Sequence, residues 1–215
     1  MTEKLTALLH EAERLEAVQA CRNLMGKYSY YHTAFRNLEY VELWAKRDDT
    51  MLTMPFGIFD GWEGVRRCYV EMHGDRSIPE DAEQLKGLMM VHAMDTEVIE
   101  VAADGMTAKA AFISPGHETA PTPGKEKGAW CWGKYEVDFI KEDGVWKFWH
   151  MVLYPVFLTP VDRSWGMPTL DELDGPKETP NMPCDRSLEK PFWEYNKDAV
   201  YPFDEPRLPL PYETF

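Results

Sequence analysis

The sequence predicts an α+β fold in which N-terminal helices close a cone-shaped, curved antiparallel sheet, with an extended Pro-rich tail behind it. Three observations carry that expectation. Over residues 3–31 the apolar positions Leu5, Leu8, Leu9, Ala12, Leu15, Val18, Cys21, Leu24, Met25 and Tyr28 recur at steps of three and four, the period of an amphipathic helix. From residue 87 to residue 157 the chain is rich in β-branched and aromatic residues that alternate or run together, the texture of strands. Beyond Pro160 neither period persists, and most of the sixteen prolines follow, so the chain there is extended. Residues 1–160 read as one domain. Residues 161–215 read as an extension that packs on the domain or on a neighbouring subunit, because rings such as Trp165, Phe192, Trp193, Tyr195, Tyr201, Phe203, Tyr212 and Phe215 are too many to leave in water.

The elements follow in order. A second helix over residues 38–45 places Leu38, Val41 and Trp44 on one face and gives way to the turn-forming Arg47-Asp48-Asp49. A short strand over residues 50–54 precedes a tight hairpin marked by Gly57 and Gly61, and residues 62–73 read as a third helix. The charged stretch 74–85 reads as a loop near a cavity mouth. Strands are expected over residues 87–101, 107–115, 129–140 and 145–157. Asp143-Gly144 supplies the positive φ values that a two-residue hairpin requires, so the last two strands pair directly.

Composition excludes several functions. The formal charge of -14 repels a phosphate backbone and anionic lipid, so neither nucleic acid nor a membrane surface is an expected partner. No apolar run is long enough to span a bilayer, and the first residues show no secretion signal. Cys21, Cys68, Cys131 and Cys184 are widely spaced with no C-x-x-C pair, so neither a disulfide framework nor a zinc motif is expected, and reduced thiols in the cytoplasm are the expectation. No H-x-H or H-E-x-x-H, dinucleotide fingerprint, phosphate loop or nucleophile elbow occurs. No metal or cofactor is implied, which leaves chemistry by protons.

Phe56-Gly57 with Asp60-Gly61-Trp62-Glu63-Gly64-Val65, and Tyr135-Glu136-Val137-Asp138-Phe139 with Asp143-Gly144-Val145-Trp146-Lys147-Phe148, resemble the entry to the third helix and the final hairpin of the nuclear transport factor two-like cone fold. Residues 8–158 are similar to its SnoaL-like (polyketide cyclase and dehydratase) branch. The resemblance implies a cofactor-independent lyase, by dehydration or retro-aldol cleavage, with an isomerase, a cyclase or a non-catalytic binding module as alternatives. It also implies a homo-oligomer, a dimer or a trimer. The tail resembles extensions of bacterial members that act on aromatic compounds, including the diarylpropane lyases of lignin catabolism, which implies a lignin-derived aromatic substrate.

Candidate catalytic residues are His92, Tyr28, Tyr31, His32 and His150. His92 lies among Met89, Met90, Val91 and Met94, where an imidazole can be tuned to accept a proton near neutral pH, and it matches the strand histidine of the family dehydratases. Their helix aspartate has no counterpart; Tyr31, His32 and Thr33 stand in its place. Tyr28 resembles a pocket tyrosine able to donate to a developing oxyanion. By strict alternation His150 shares one strand face with Trp146, Phe148, Val152 and Tyr154, which offers a second titratable group. Trp44, Met54, Phe56, Met90, Trp132, Phe148 and Tyr154 are the expected substrate-binding wall, suited to an aromatic or polycyclic small molecule.

Overall fold

The computed structural model describes residues 2–72, 86–119, 128–166, 184–190, 192 and 194–215. The stretch 74–85, expected to be a loop, lies outside these residues, as do His73 and Trp193. Helix α1 (Thr2–Thr33) leads into a short α2 (Asn37–Val41), the hairpin β1 (Met51–Met54) and β2 (Gly57–Asp60), and then α3 (Gly61–Arg66), whose continuation over Arg67–Met72 widens to a π-helical turn. Strands β3 (Met90–His92), β4 (Asp95–Val101), β5 (Thr107–Thr119), β6 (Gly128–Glu142) and β7 (Val145–Pro160) complete the domain.

One seven-stranded sheet runs β2-β1-β7-β6-β5-β3, with β4 also paired to β5. Every pairing is antiparallel except β1 with β7. The sheet curls without closing, and α1 lies across its concave side. The β6–β7 turn carries Asp143 at φ 50° and Gly144 at φ 79°, the two positive values its length requires. Strands β5, β6 and β7 outrun their expected ends, and the single strand expected over residues 87–101 is broken between His92 and Asp95. Thr96 has φ 53° there, and the β4–β5 register shifts between Asp95 and Val98.

The second half of α1 builds the core: Ala17, Cys21, Leu24, Met25, Tyr28 and His32 face the sheet and are buried. Its first half is amphipathic in sequence but uncovered, with Leu5, Leu8, Leu9 and Leu15 each more than half exposed. Inward residues of β5 (Ala108, Ala110, Phe112), β6 (Tyr135, Val137, Phe139) and β7 (Phe148, Met151) meet Tyr40, Trp44, Leu52, Phe59, Val65 and Tyr69. Trp44 forms an isolated bridge with Phe148 rather than extending α2.

The described parts of the tail lie on the outside of the sheet. Arg186 pairs its backbone with Ile58 on the open edge of β2 and its guanidinium with Asp60, which occupies an edge that would otherwise invite another strand. Trp165 stacks on Phe157, Phe192 meets Tyr154, and Phe215 packs on Trp149 and His150.

Candidate active site

The site is built where three strands run side by side at the open end of the cone. Register places His92 of β3 opposite Gly116 of β5, and Gly116 opposite Cys131 of β6. Met90 and Glu118 form the next pair on the same face. A nitrogen of His92, a carboxylate oxygen of Glu118 and the Cys131 sulfur all lie within 4.8 Å of one another, each side chain partly buried. Gly116 is the floor beneath the imidazole: a Cβ there would stand 2.6 Å from His92 Nδ1 and would also meet the Cys131 carbonyl oxygen and the Val91 carbonyl. The Ser29 hydroxyl donates to the His92 carbonyl at 2.6 Å, which ties β3 to α1.

Deeper in the cone, His32 stacks on His92 with ring centroids 5.7 Å apart and on Tyr28 at 5.6 Å. Tyr28 then meets Tyr40, Tyr69, Tyr135 and Phe148, and its hydroxyl lies 2.9 Å from that of Tyr135. The Tyr69 hydroxyl is a second hydrogen-bonding neighbour of Tyr28, so the pair is part of a buried cluster of hydroxyls. Burial pushes Tyr28 up to about 12 and raises Tyr40, Tyr69 and Tyr135 well above the ordinary phenol value, so these rings are neutral donors at pH 7. Burial likewise raises the Glu118 carboxyl and pushes the Cys131 thiol up to about 12. Desolvation disfavours the charged form of each.

The structure separates the residues singled out from the sequence. It brings Tyr28, His32, His92 and Met90 to the concave side. Tyr31 is partly buried, carries the Arg36 guanidinium over its ring at 5.5 Å, and joins none of the ring contacts described for Tyr28, His32 and His92. Trp44 and Phe148 are fully buried against each other and Tyr40, so both fill the closed end rather than wall a cavity. Met54 belongs to the same core and Phe56 packs on its edge.

His150, Tyr154 and Trp132 face outward, contrary to expectation. The β6–β7 register slips between Asp138 and Phe139, pairing Phe139 with Phe148 but Asp138 with His150. Trp149 is therefore the extra residue of a bulge, and alternation reverses across it. Phe148 points in while His150 points out, where its Nδ1 lies 3.0 Å from Asp138 and its Nε2 3.0 Å from the Asp49 carbonyl. Tyr154 donates to Glu136 at 2.7 Å, and Trp132 stacks on Phe157.

Glu118, Cys131 and Tyr135 were missed as site residues. The expected end of β5 at residue 115 left Gly116-His117-Glu118 in a loop; carried through to Thr119, the same alternation puts Glu118 inside and His117 outside, where it packs on Trp130.

A helix-backed, curled sheet with an imidazole and a carboxyl on its concave side defines the class, a cone fold of the nuclear transport factor two-like type. The chain belongs to the SnoaL-like family, whose domain model matches residues 13–152. Among solved structures it is similar to a scytalone dehydratase candidate from Novosphingobium aromaticivorans, at 16% identity and TM-score 0.55 over 72% of this chain and 99% of that one. Hexachlorocyclohexane dehydrochlorinase LinA-type3 from Novosphingobium barchaimii aligns at 17% identity and TM-score 0.55, over 74% of this chain and 99% of that one. An NTF2-like protein with a cystatin-like fold from Novosphingobium aromaticivorans aligns at 17% identity and TM-score 0.53, over 74% and 92% of the two chains. No curated protein matches the chain at a significant level. At these identities the structural likeness establishes the fold, and chemistry must be argued from the site.

Proposed function

We infer that the chain is a lyase that works by proton transfer on a hydrophobic, ring-containing small molecule, of which a lignin-derived aromatic is the expected kind. One observation supports this above the others: an inward imidazole, His92, seated on a glycine floor within 4.8 Å of a partly buried carboxyl, with phenol donors behind it. In a dehydration, His92 takes a proton from carbon, the freed electron pair forms the C=C bond, and the C–O bond breaks. Glu118, whose carboxyl holds its proton to a higher pH because it is buried, protonates the departing oxygen as water. A proton passed from His92 to Glu118 then restores both groups. A hydroxyl of the Tyr28–Tyr135 pair steadies oxygen charge on the substrate. The dehydrochlorinase and dehydratase names among the structural neighbours agree with elimination chemistry. The methionines and rings around His92 favour a flat, apolar substrate.

The test uses a panel of hydroxylated aromatic and polycyclic compounds with His92→Gln, Glu118→Gln and Tyr28→Phe, each checked for folding by circular dichroism. His92→Gln is expected to lose roughly 100-fold or more in kcat/KM, and Tyr28→Phe a smaller factor. Unchanged turnover in a folded His92→Gln protein removes the assignment.

A further inference from the structure

We propose that His92, Glu118 and Cys131 form a binding site for a thiophilic divalent cation, of which Zn²⁺ is the expected occupant. The three donors come from three adjacent strands, β3, β5 and β6, and their ligand atoms already lie within 4.8 Å of one another. Neighbouring ligand atoms around a tetrahedral ion with Zn–N and Zn–O near 2.0 Å and Zn–S near 2.3 Å stand roughly 3.5 Å apart. The donors therefore need to draw in by about 1 Å, within the reach of side-chain rotation on a fixed backbone.

Three features make this a cation site rather than a chance cluster. Among the described residues no Lys or Arg forms an ion pair with Glu118, so a partly buried carboxyl stands beside an imidazole and a thiol without a basic partner. Glu194, from the tail, acts electrostatically on the same thiol, adding a second negative group to the neighbourhood. Gly116, having no side chain, lets the imidazole pack down onto β5 between the other two donor strands. One nitrogen, one oxygen and one sulfur donor select Zn²⁺ or Co²⁺ over Mg²⁺ or Ca²⁺, which prefer all-oxygen cages. Three protein ligands leave the fourth position to water or a substrate atom.

The consequence for catalysis rests on the function proposed above; the binding site itself does not. Ligation occupies the lone pair with which His92 accepts a proton, so the ion inhibits proton transfer, and chelation restores it.

Binding is read without substrate. The full-length protein, stripped of metal and kept reduced, is titrated with CoCl₂ and then with ZnCl₂. The expected result is one equivalent of tetrahedral Co²⁺ with a near-ultraviolet thiolate-to-metal band that Zn²⁺ abolishes. Cys131→Ser should lose the band, and the isosteric Glu118→Gln should weaken binding at least about 10-fold; Cys21, Cys68 and Cys184 remain in both variants. An octahedral spectrum without the band, or a band that survives in folded Cys131→Ser, overturns the proposal. If Co²⁺ binds as expected while His92→Gln leaves turnover unchanged, the metal site stands and the lyase assignment falls. The reverse pair of results separates them the other way.

Discussion

At Gly116 a single hydrogen in place of a methyl decides where the imidazole sits. Gly116→Ala would push the new carbon onto His92 Nδ1 and onto the Cys131 backbone carbonyl, and the latter cannot rotate away. The expected outcome is a folded protein with turnover reduced at least about 10-fold by a displaced base, read by kcat/KM beside a circular dichroism spectrum. Full activity would show that His92 is not held by this contact. The buried phenols give a second residue-scale expectation. In the unfolded chain a tyrosine ionises near 10, whereas Tyr28 in the fold is pushed up to about 12 and Tyr40, Tyr69 and Tyr135 are held higher than usual. A raised folded value means that the stabilisation is fully present below pH 10 and is lost as pH rises from 10 through the folded value. Tyrosinate absorbance should therefore titrate in two stages, with a late, cooperative fraction that coincides with loss of secondary structure, and Tyr28→Phe should shrink that fraction. A single non-cooperative titration of all ten tyrosines would contradict the burial argument. Tyr28→Phe also strands the Tyr135 hydroxyl, at a cost of about 1–3 kcal/mol.

Among the elements, those whose signal is local were legible in the sequence. The final hairpin could be placed because Asp143-Gly144 can adopt two successive positive φ values where most residue pairs cannot, and the inward side of α1 because Cys21, Leu24, Met25 and Tyr28 keep the helical step and are buried. What escaped were features set by a partner strand. The bulge at Trp149 has no signature of its own in a run of aromatic and β-branched residues, yet it moves His150 out of the cone. The continuation of β5 through Pro115 and Gly116 runs against the usual meaning of both residues, and depends on β3 and β6 to either side. The site suffered most: His92 was legible as an imidazole among apolar residues, but Glu118 and Cys131 are brought to it only by register. Outside the cone, Arg47 holds Asp49 down to about 2, below the usual 3.8, with Trp149 donating to the same carboxylate. A lowered folded value contributes stability above 3.8 that is lost as pH falls from 3.8 to 2. Asp49→Asn is expected to flatten the acid limb of the thermal melting curve in that window, by a small amount because the pair is largely exposed; an acid limb identical to that of the unaltered protein would show that the pair does not act.

For the whole molecule, the tail changes which surfaces are available. Its described segments occupy the β2 edge through Arg186, place Trp165 and Phe192 over Phe157 and Tyr154, and bring Tyr212 and Phe215 to Lys109, Trp149 and His150. Between the tail and the sheet, a groove of about 610 Å³ is lined by Val98, Ile113, Lys134, Phe203, Arg207 and Leu208 among others. Removing residues 165–215 uncovers an apolar sheet face and an open strand edge. The truncated protein is expected to melt at a lower temperature and to self-associate by light scattering, while unchanged mass and melting temperature would show that the tail contributes nothing. A homo-oligomer, proposed from the family, would then have to form through surfaces other than those the tail covers.

The most direct test of the whole account is a crystal structure of the protein with a ring compound that it turns over or binds. That compound should lie inside the cone, with an oxygen or an acidic carbon within hydrogen-bonding reach of His92 and an oxygen facing the Tyr28–Tyr135 hydroxyls. A compound seated in the outer groove beside Phe203, with none inside the cone beside His92, would contradict it.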